Sequence, residues 1–354
     1  SAQDARTWGE TTSAANKNQN FILNEAWAKY QVSEKLGLKL GRQILSYDNE
    51  RLVGSLDWAM QGRSFDALKG IYKFNPNSKL EVVVTYNNDD NDLNDLPEKE
   101  IYSIAEAGEI TKSLQIIHYD YSGKNKFQFS AIAMNQVLHN PSGAHYDLLT
   151  VGINSKKYLE NIGFFGSAYY QTGKNTLAQS KNAYQFSANV DFLIHSKFNV
   201  ILGTEWLSGR NFDTDSGENK SFSPMYGTNH LHNGFMDYFY FGNSHFNSFG
   251  LNDYYLKSNL KFSPNSILQA NLHAFTSNGK LGFDTSGEKI PSYLGTELDL
   301  VFTHKIGKSI TANLGHSFMF SGKSMEYLKN VPEPKNLQTW SWIAFRIAPN
   351  FKIK

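Results

Sequence analysis

Residues 184–192, YQFSANVDF, alternate apolar and polar side chains without interruption. Successive side chains of a β-strand point to opposite faces, so this segment predicts a strand with one apolar and one wet face. The same alternation recurs in residues 80–86, 254–262 and 294–302. It fits a soluble β-sandwich as well as a membrane barrel, so the connections between strands must decide.

The connections alternate strictly between short turns and long loops along about sixteen predicted strands. Outer-membrane barrels place short turns on the periplasmic side and long loops outside, whereas a sandwich has no reason to sort its loops. The sequence therefore predicts an all-β fold, a transmembrane antiparallel up-and-down β-barrel. The predicted strands lie near residues 1–8, 21–32, 38–46, 62–74, 79–86, 113–121, 126–134, 146–155, 161–171, 183–194, 198–206, 253–262, 267–276, 293–304, 309–320 and 337–348; the long loops are 9–20, 47–61, 87–112, 135–145, 172–182, 207–252, 277–292 and 321–336.

Composition excludes several classes of protein. The 354 residues contain no Cys, which removes disulfides and thiolate metal sites, and the formal net charge of +1 argues against a nucleic-acid-binding protein. No run of about 18 apolar residues predicts a transmembrane helix. The mean hydropathy of −0.46 is compatible with a barrel, because a barrel strand shows lipid only every second side chain. Aromatic residues near strand ends, such as Tyr30, Tyr86 and Trp206, fit the interfacial girdles of such barrels.

We interpret residues 1–354 as one barrel domain of a Gram-negative outer membrane. The chain opens in a polar segment, so we expect that an export signal has been removed. The loop 207–252 carries an aromatic piece too apolar to extend into water, and we expect it to fold into the lumen or across the mouth. The gating residues predicted in this loop are His230, His232, Phe235, Asp237 and Tyr238.

Residues 38–72, LKLGRQILSYDNERLVGSLDWAMQGRSFDALKGIY, resemble the alginate-export family of outer-membrane barrels. The stretches 1–10 and 227–243 are similar to pieces of its Bacteroidota-type members. The resemblance implies a barrel of about eighteen strands, so either two N-terminal strands are missing from this sequence or this barrel is smaller. The positions that carry the resemblance are Gly41, Arg42, Gln43, Asp48, Arg51, Asp57, Trp58, Arg63, Ser64, Phe65 and Asp66.

The wet faces of the strands supply a mixed set of acids and bases, whereas the resemblance implies a strongly cationic lumen in polyuronate exporters. Mixed charge predicts weak ion selectivity, set by local rings of charge. Arg42, Arg63, Asp57 and Asp66 could form an ion network that either holds the wall or contacts an anionic substrate. The residues predicted to line the lumen and set selectivity are Lys29, Lys39, Arg42, Arg63, Asp66, Lys69, Glu81, Asp191, Glu205, Lys257, Lys261, Glu297 and Asp299.

The predicted function is a porin that passes small polar solutes and uses no cofactor. The alternatives are a dedicated exporter or importer of an acidic, alginate-like oligosaccharide, and a plugged barrel that serves as a structural or binding partner in an envelope assembly. The sequence contains no nucleophile elbow, zinc helix or phosphate loop, so we expect no enzymatic activity. The expected partners are outer-membrane lipids, lipopolysaccharide and solutes or oligosaccharides, and the sequence leaves open a homo-oligomer.

Two metal hypotheses are weak. His230 and His232 are two imidazoles without a fixed carboxylate or thiolate nearby, so we predict no metal site there. The acidic run 87–95, NNDDNDLND, is most simply a solvated external loop, although clustered oxygens could bind Ca²⁺ or bridge to lipopolysaccharide.

Overall fold

The computed structural model describes residues 2–4, 21–56, 62–87, 110–139, 143–240, 245, 247–331 and 335–349. These residues form an antiparallel sheet in which strands follow chain order. None of the helices in these ranges is long and apolar enough to cross a membrane. The calcium hypothesis for residues 87–95 concerns residues that, apart from Asn87, lie outside the described ranges.

The strands of the described residues are β1 (Ala2–Asp4), β2 (Phe21–Leu23), β3 (Ala26–Gln31), β4 (Leu36–Gln43), β5 (Phe65–Asn75), β6 (Ser78–Tyr86), β7 (Ile110–Ser122), β8 (Phe127–His139), β9 (His145–Leu159), β10 (Ile162–Lys174), β11 (Ser180–His195), β12 (Phe198–Leu207), β13 (Glu218–Asn219), β14 (Leu251–Ser263), β15 (Ser266–Thr276), β16 (Tyr293–Ile306), β17 (Ile310–Ser321) and β18 (Leu337–Ile347); the short α-helix α1 (Ser324–Lys329) lies between β17 and β18.

The wall is a single meander. Strands β3 to β12 and β14 to β18 pair antiparallel with their chain neighbours, and β3 and β18 are its two ends. The short β13 pairs in parallel with β11, and β1 pairs with β2. Neighbouring strands can be joined in this way by tight turns, which is why the connections on one side are short. The prediction of an all-β, antiparallel, up-and-down barrel is confirmed.

The strands are longer than predicted at their outer ends. β8 continues to His139 and β10 to Lys174, while β9 and β11 begin at His145 and Ser180. The predicted long loops 135–145 and 172–182 are therefore wrong in extent, and their connections are residues 140–144 and 175–179. The predicted strand 21–32 is also divided, because Asn24 and Glu25 separate β2 from β3.

The two faces of the wall differ as the alternation predicts. Tyr184 and Phe186 are exposed on the outer face of β11, whereas Gln185 between them is 1% exposed. On β6, Val82 is exposed and its inward neighbour Glu81 is buried. An apolar outer face and a polar inner face are what a lipid-facing barrel requires.

The outer half of the lumen departs from the expectation of a wet interior. Inner-face residues there are apolar and buried, among them Val83, Ile116 and Met134. They pack against two loops in one hydrophobic core inside the barrel. These inner positions are apolar because they are covered by protein and not by water. Apolar and polar side chains therefore no longer alternate along the strands in this half. The residues that the two loops contribute to this interior core are Leu45, Tyr47, Leu52, Val53, Phe222, Met225, Tyr226, Phe239, Tyr240 and Phe249, and Leu281, Ile290 and Met325 join it from the segments after β15 and β17.

Candidate functional site

The segment that follows β4, residues 44–56, crosses the lumen, and we call it the strap. Its first part is tied to the wall at β6 to β8. Tyr47 donates a hydrogen bond to Glu81 Oε2 at 3.3 Å. Asp48 Oδ1 lies 3.1 Å from His118 Nε2 and also accepts a hydrogen bond from Ser130. Both partners of Asp48 reach it from the inner face of the barrel.

The far end of the strap is fixed by Arg51, whose side chain is fully buried. Its Nη2 lies 2.7 Å from Glu205 Oε2 on β12 and donates to Asn233 Oδ1 at 2.6 Å. Glu205 also accepts hydrogen bonds from Gln185 at 2.9 Å and from Asn233 at 2.9 Å. Charge-assisted bonds of this kind are strong. One guanidinium therefore joins the strap, the long loop and the wall.

The strap backbone is strained. Asp48, Glu50 and Leu56 have φ values of 56°, 60° and 59°, in the left-handed region that side chains other than glycine disfavour. Such residues persist only where surrounding contacts hold them. The strap is therefore kept in this conformation by its contacts with the wall and with the long loop.

The strap and the long loop, which comprises residues 208–250, also bind each other directly. Thr228 donates to Glu50 Oε2 at 2.6 Å, and Val53 forms a parallel bridge with Tyr226. Arg63, which follows the strap, donates to the backbone carbonyls of Tyr226 and Gly227. The two loops thus form one packed body inside the barrel.

The long loop meets two carboxylates on the inner face of β16. The backbone N–H of Met236 donates to Glu297 Oε1 at 2.9 Å, and that of Phe235 donates to Asp299 Oδ2 at 3.4 Å. Gly234 has a φ of 85°, and a Cβ there would come within 2.5 Å of Glu297 Oε1. Only glycine brings the loop backbone this close to the carboxylate.

The other predicted gating residues form contacts within the long loop and between the long loop and β18. His230 Nδ1 lies 2.8 Å from Asp237 Oδ2, and the His230 ring stacks on Phe235 at 5.4 Å. Tyr238 donates a hydrogen bond to Gln338. Within the described ranges, no three His, Asp or Glu side chains come together in a group that could hold a metal ion.

His232 is buried beside Arg51, and burial is the largest cause that lowers its pKa from 6.5 to about 3; the charge of Arg51 adds to this. A histidine that is neutral in the folded protein contributes stability that is complete above pH 6.5 and is lost as the pH falls towards 3. Protonation would place a second cation next to Arg51, with Glu205 and Lys257 as the other nearby charges.

We therefore expect conductance to rise between pH 6.5 and pH 4 as the buried contact of Arg51 weakens. His232→Gln should flatten this rise, because glutamine does not titrate. His195→Gln, at the exposed end of β11, is the matched control and should keep the wild-type pH profile. Bilayer recordings at several pH values measure the effect, and an unchanged profile in His232→Gln would contradict it.

Three lysines form a row on the inner face of neighbouring strands. Lys29 faces Lys39, and Lys39 faces Lys69 across the next strand pair. Lys69 Nζ lies 3.4 Å from Glu81 Oε2, and Lys79 Nζ lies 2.9 Å from Glu81 Oε1. The inner face of β3 to β5 is therefore cationic, with one carboxylate shared at its edge.

The remaining predicted lumen residues lie on two faces. Those on the inner face of β11 and β14 are Asp191, Lys257 and Lys261, and Asp191 accepts a hydrogen bond from Asn199 at 2.8 Å.

The prediction that Arg42 and Asp66 line the lumen is wrong. The two residues face each other on the same side as the exposed Leu40 and Leu68, and their side chains pair at 2.7 Å. Arg63 binds loop carbonyls instead, and Asp57 lies outside the described residues.

A polar cavity of about 670 Å³ remains beneath the strap. Tyr47, Asp48 and Asn49 form its roof, and inner-face residues of β5 to β11 form its wall. Wall residues such as Lys79 and Lys156 lie near the short turns, so the cavity occupies the short-turn half of the barrel. The space left for a solute in the described structure therefore lies in the short-turn half and has a polar wall. The interior core fills the outer half.

Several residues of this site were not predicted from the sequence. The sequence marks Arg51 and Asp48 only as positions of the family resemblance, and it assigns no role to Asn233 and Asp253. Asp253 is buried, and its carboxylate lies 2.9 Å from His273 Nδ1. A signal was available, because Leu45, Leu52 and Val53 are apolar residues in or beside a segment predicted to be external.

The fold resembles that of solved outer-membrane proteins of Pseudomonas aeruginosa. OpdK superposes with a TM-score of 0.58 and 12% identity over 90% of this chain and 78% of that chain. OccK5 (OpdH) gives 0.58 and 10% over 92% and 81%, and OccK3 (OpdO) gives 0.57 and 12% over 90% and 78%. Identities this low show a shared fold. No curated protein matches the chain.

A family model described as alginate export matches residues 1–330, which is most of the chain. This agrees with the motif resemblance of residues 38–72 and with the barrel topology. The predicted location in the outer membrane is confirmed by the family and by the fold. The chain belongs to the alginate export family and is an outer-membrane β-barrel of that family.

Proposed function

We propose that the protein is a gated outer-membrane channel for small polar solutes, without catalytic activity. The observation that carries this proposal is the division of the lumen. The strap and the long loop fill the outer half, and a polar cavity of about 670 Å³ lies in the short-turn half. A solute that crosses must displace or pass the loops, so the contacts of Arg51 and Glu205 act as the gate.

Selectivity should be weak, because acids and bases are mixed along the inner face. Glu205, Asp253, Glu297 and Asp299 face inward from β12, β14 and β16. The lysine row faces inward from β3 to β5 on the other part of the wall. A charged constriction selects ions by its local charge, and here groups of both signs face the lumen.

The lysine row favours one second candidate, a passage for acidic oligosaccharides or other carboxylates. Lysines on three adjacent strands would attract an anion more strongly than an isolated lysine. OpdK has been solved with vanillate, and it superposes with a TM-score of 0.57 and 11% identity over 90% of this chain and 77% of that chain. An acidic solute that blocks the current at low concentration would favour this candidate.

The interior core supports the third candidate, a barrel held closed in an envelope assembly. Phe222, Tyr226 and Tyr240 of this core are as buried as residues of a domain interior. Lipids and lipopolysaccharide would contact the apolar outer face in each case. Absence of conductance in a correctly folded sample would favour the closed barrel.

The experiment that tests the proposal is single-channel recording in a planar bilayer, with the reversal potential measured under a salt gradient. We expect brief openings of modest conductance and a small reversal potential. A silent protein whose spectrum shows intact β-structure would overturn the proposal.

Replacing the lysine row tests the charge assignment. Lys29→Gln, Lys39→Gln and Lys69→Gln together should shift the reversal potential towards cation selectivity, because the inner carboxylates then dominate. Lys323→Gln, on an external loop, removes one lysine charge outside the lumen and is the control for loss of a positive charge elsewhere in the protein. Equal shifts in the triple variant and in the control would mean that the row does not face the permeation path.

A further inference from the structure

The cavity beneath the strap is balanced in charge. Its wall and roof carry the ammonium groups of Lys69, Lys79 and Lys156 and the carboxylates of Asp48, Glu81 and Asp120. Glu81 is held by Lys69 and Lys79, and Lys79 also faces Asp120 across the pair of strands. Asp48 is held by His118 and Ser130. A solute with a net charge would therefore find no excess of the opposite sign.

Neutral hydrogen-bonding groups make up much of the remaining wall. Asn154 Nδ2 donates to the Tyr169 hydroxyl at 2.6 Å, and Asn189 Nδ2 donates to the Tyr255 hydroxyl at 3.2 Å. These bonds fix both amides, and their oxygens accept no hydrogen bond from the described part of the chain. The other inward-facing neutral groups of the wall are Gln128, Ser130, Ser167 and Ser187.

An aromatic ring lies among these groups. Phe165 faces inward from β10 and packs edge-on against Tyr158 at 5.6 Å, which fixes its orientation. Lys156 Nζ lies 5.0 Å from the centre of the Phe165 ring and 4.9 Å from that of Tyr158. Lys156 is thus positioned over aromatic rings, and it forms no ion pair with the described residues.

We propose that this cavity binds a neutral polyhydroxylated solute, a mono- or disaccharide. The inference rests on the proposed channel function, since the cavity lies on the permeation path. Each sugar hydroxyl both donates and accepts, as the amides and serines of the wall do. The C–H face of a sugar ring is apolar and suits the Phe165 ring. The volume lies within the range of ~300–1,000 Å³ typical of small-molecule sites.

The test measures binding of galactose, maltose and galacturonate to the folded full-length chain in detergent, by saturation-transfer NMR. We expect galactose and maltose to bind, and galacturonate to bind no more tightly than galactose. Gln128→Ala should weaken binding of the neutral sugars by about threefold to tenfold, the effect of one hydrogen bond. Phe165→Leu should weaken it similarly, and Phe164→Leu, on the outer face of the same strand, should leave it unchanged.

Galacturonate that binds tenfold more tightly than galactose would overturn the assignment, as would binding that Phe165→Leu and Gln128→Ala leave intact. Current recordings on the same sample separate this inference from the channel proposal. Conductance without sugar binding overturns the sugar site alone. Sugar binding without conductance supports the site and overturns the channel proposal.

Discussion

Arg51→Ala should raise the single-channel conductance severalfold and lengthen the open time. The guanidinium contacts both Glu205 on the wall and Asn233 in the long loop. Its removal leaves the buried Glu205 carboxylate without its cation, and breaking a buried pair in this way costs ~3–5 kcal/mol. The strained strap loses its far attachment, so we expect the strap and the long loop to separate from β12. Planar-bilayer recording measures the result.

Two further variants identify the cause. Arg42→Ala removes an arginine that pairs with Asp66 on the outer face, and it should leave conductance unchanged. Arg51→Met combined with Glu205→Met removes both charges, so no uncompensated carboxylate remains. If the double variant folds stably but still conducts more than wild type, the ion pair acts as a latch. Wild-type conductance in Arg51→Ala would show that the other hydrogen bonds and the apolar contacts of the loops hold them in place without this ion pair.

The barrel could be predicted from the sequence because its short-turn half obeys one simple rule. There the inner face is wet and the outer face is apolar, so strands such as 184–192 show strict alternation. In the outer half the inner face packs on loops. Met134 and Leu138 of β8 are therefore buried and apolar although they point inward. This loss of contrast concealed the outer end of β8. The outer end of β10, Thr172 to Lys174, was missed because it contains no apolar residue that would mark a strand.

The candidate site could be predicted only in part, for a related reason. The alternation of faces along a strand places wall residues such as Glu205 and Glu297 on the inner face. This alternation can be read from the neighbouring residues of the same strand. The position of Arg51 is not local, because the strap reaches across the barrel to a strand 154 residues further along the chain. Arg42 was assigned to the lumen because of its charge, against the alternation of its strand. Leu40 and Leu68, on the same face, show that this side of the wall is the outer one.

Phe186→Arg should impair insertion of the barrel into a bilayer, by ~2–4 kcal/mol if the residue lies near the midplane. Phe186 is 41% exposed on the outer face of β11, close to the middle of that strand, and lies 6.0 Å from Trp206. A charged side chain there must be buried in lipid or must distort the bilayer to reach water. Folding into vesicles, followed by the shift of the folded protein on a gel, measures the loss.

The neighbouring position supplies the control, because one residue along a strand reverses the face. Ser187→Arg adds the same side chain on the inner face, where Ser187 lines the polar cavity. It should fold nearly as well as wild type, since water reaches the cavity. Leu298→Arg repeats the outer-face test on β16, beside the inward carboxylates Glu297 and Asp299. If Phe186→Arg and Leu298→Arg fold normally and Ser187→Arg does not, the inner and outer faces of the wall are the reverse of those described. The strap, the lysine row and the sugar cavity would then not lie in the lumen.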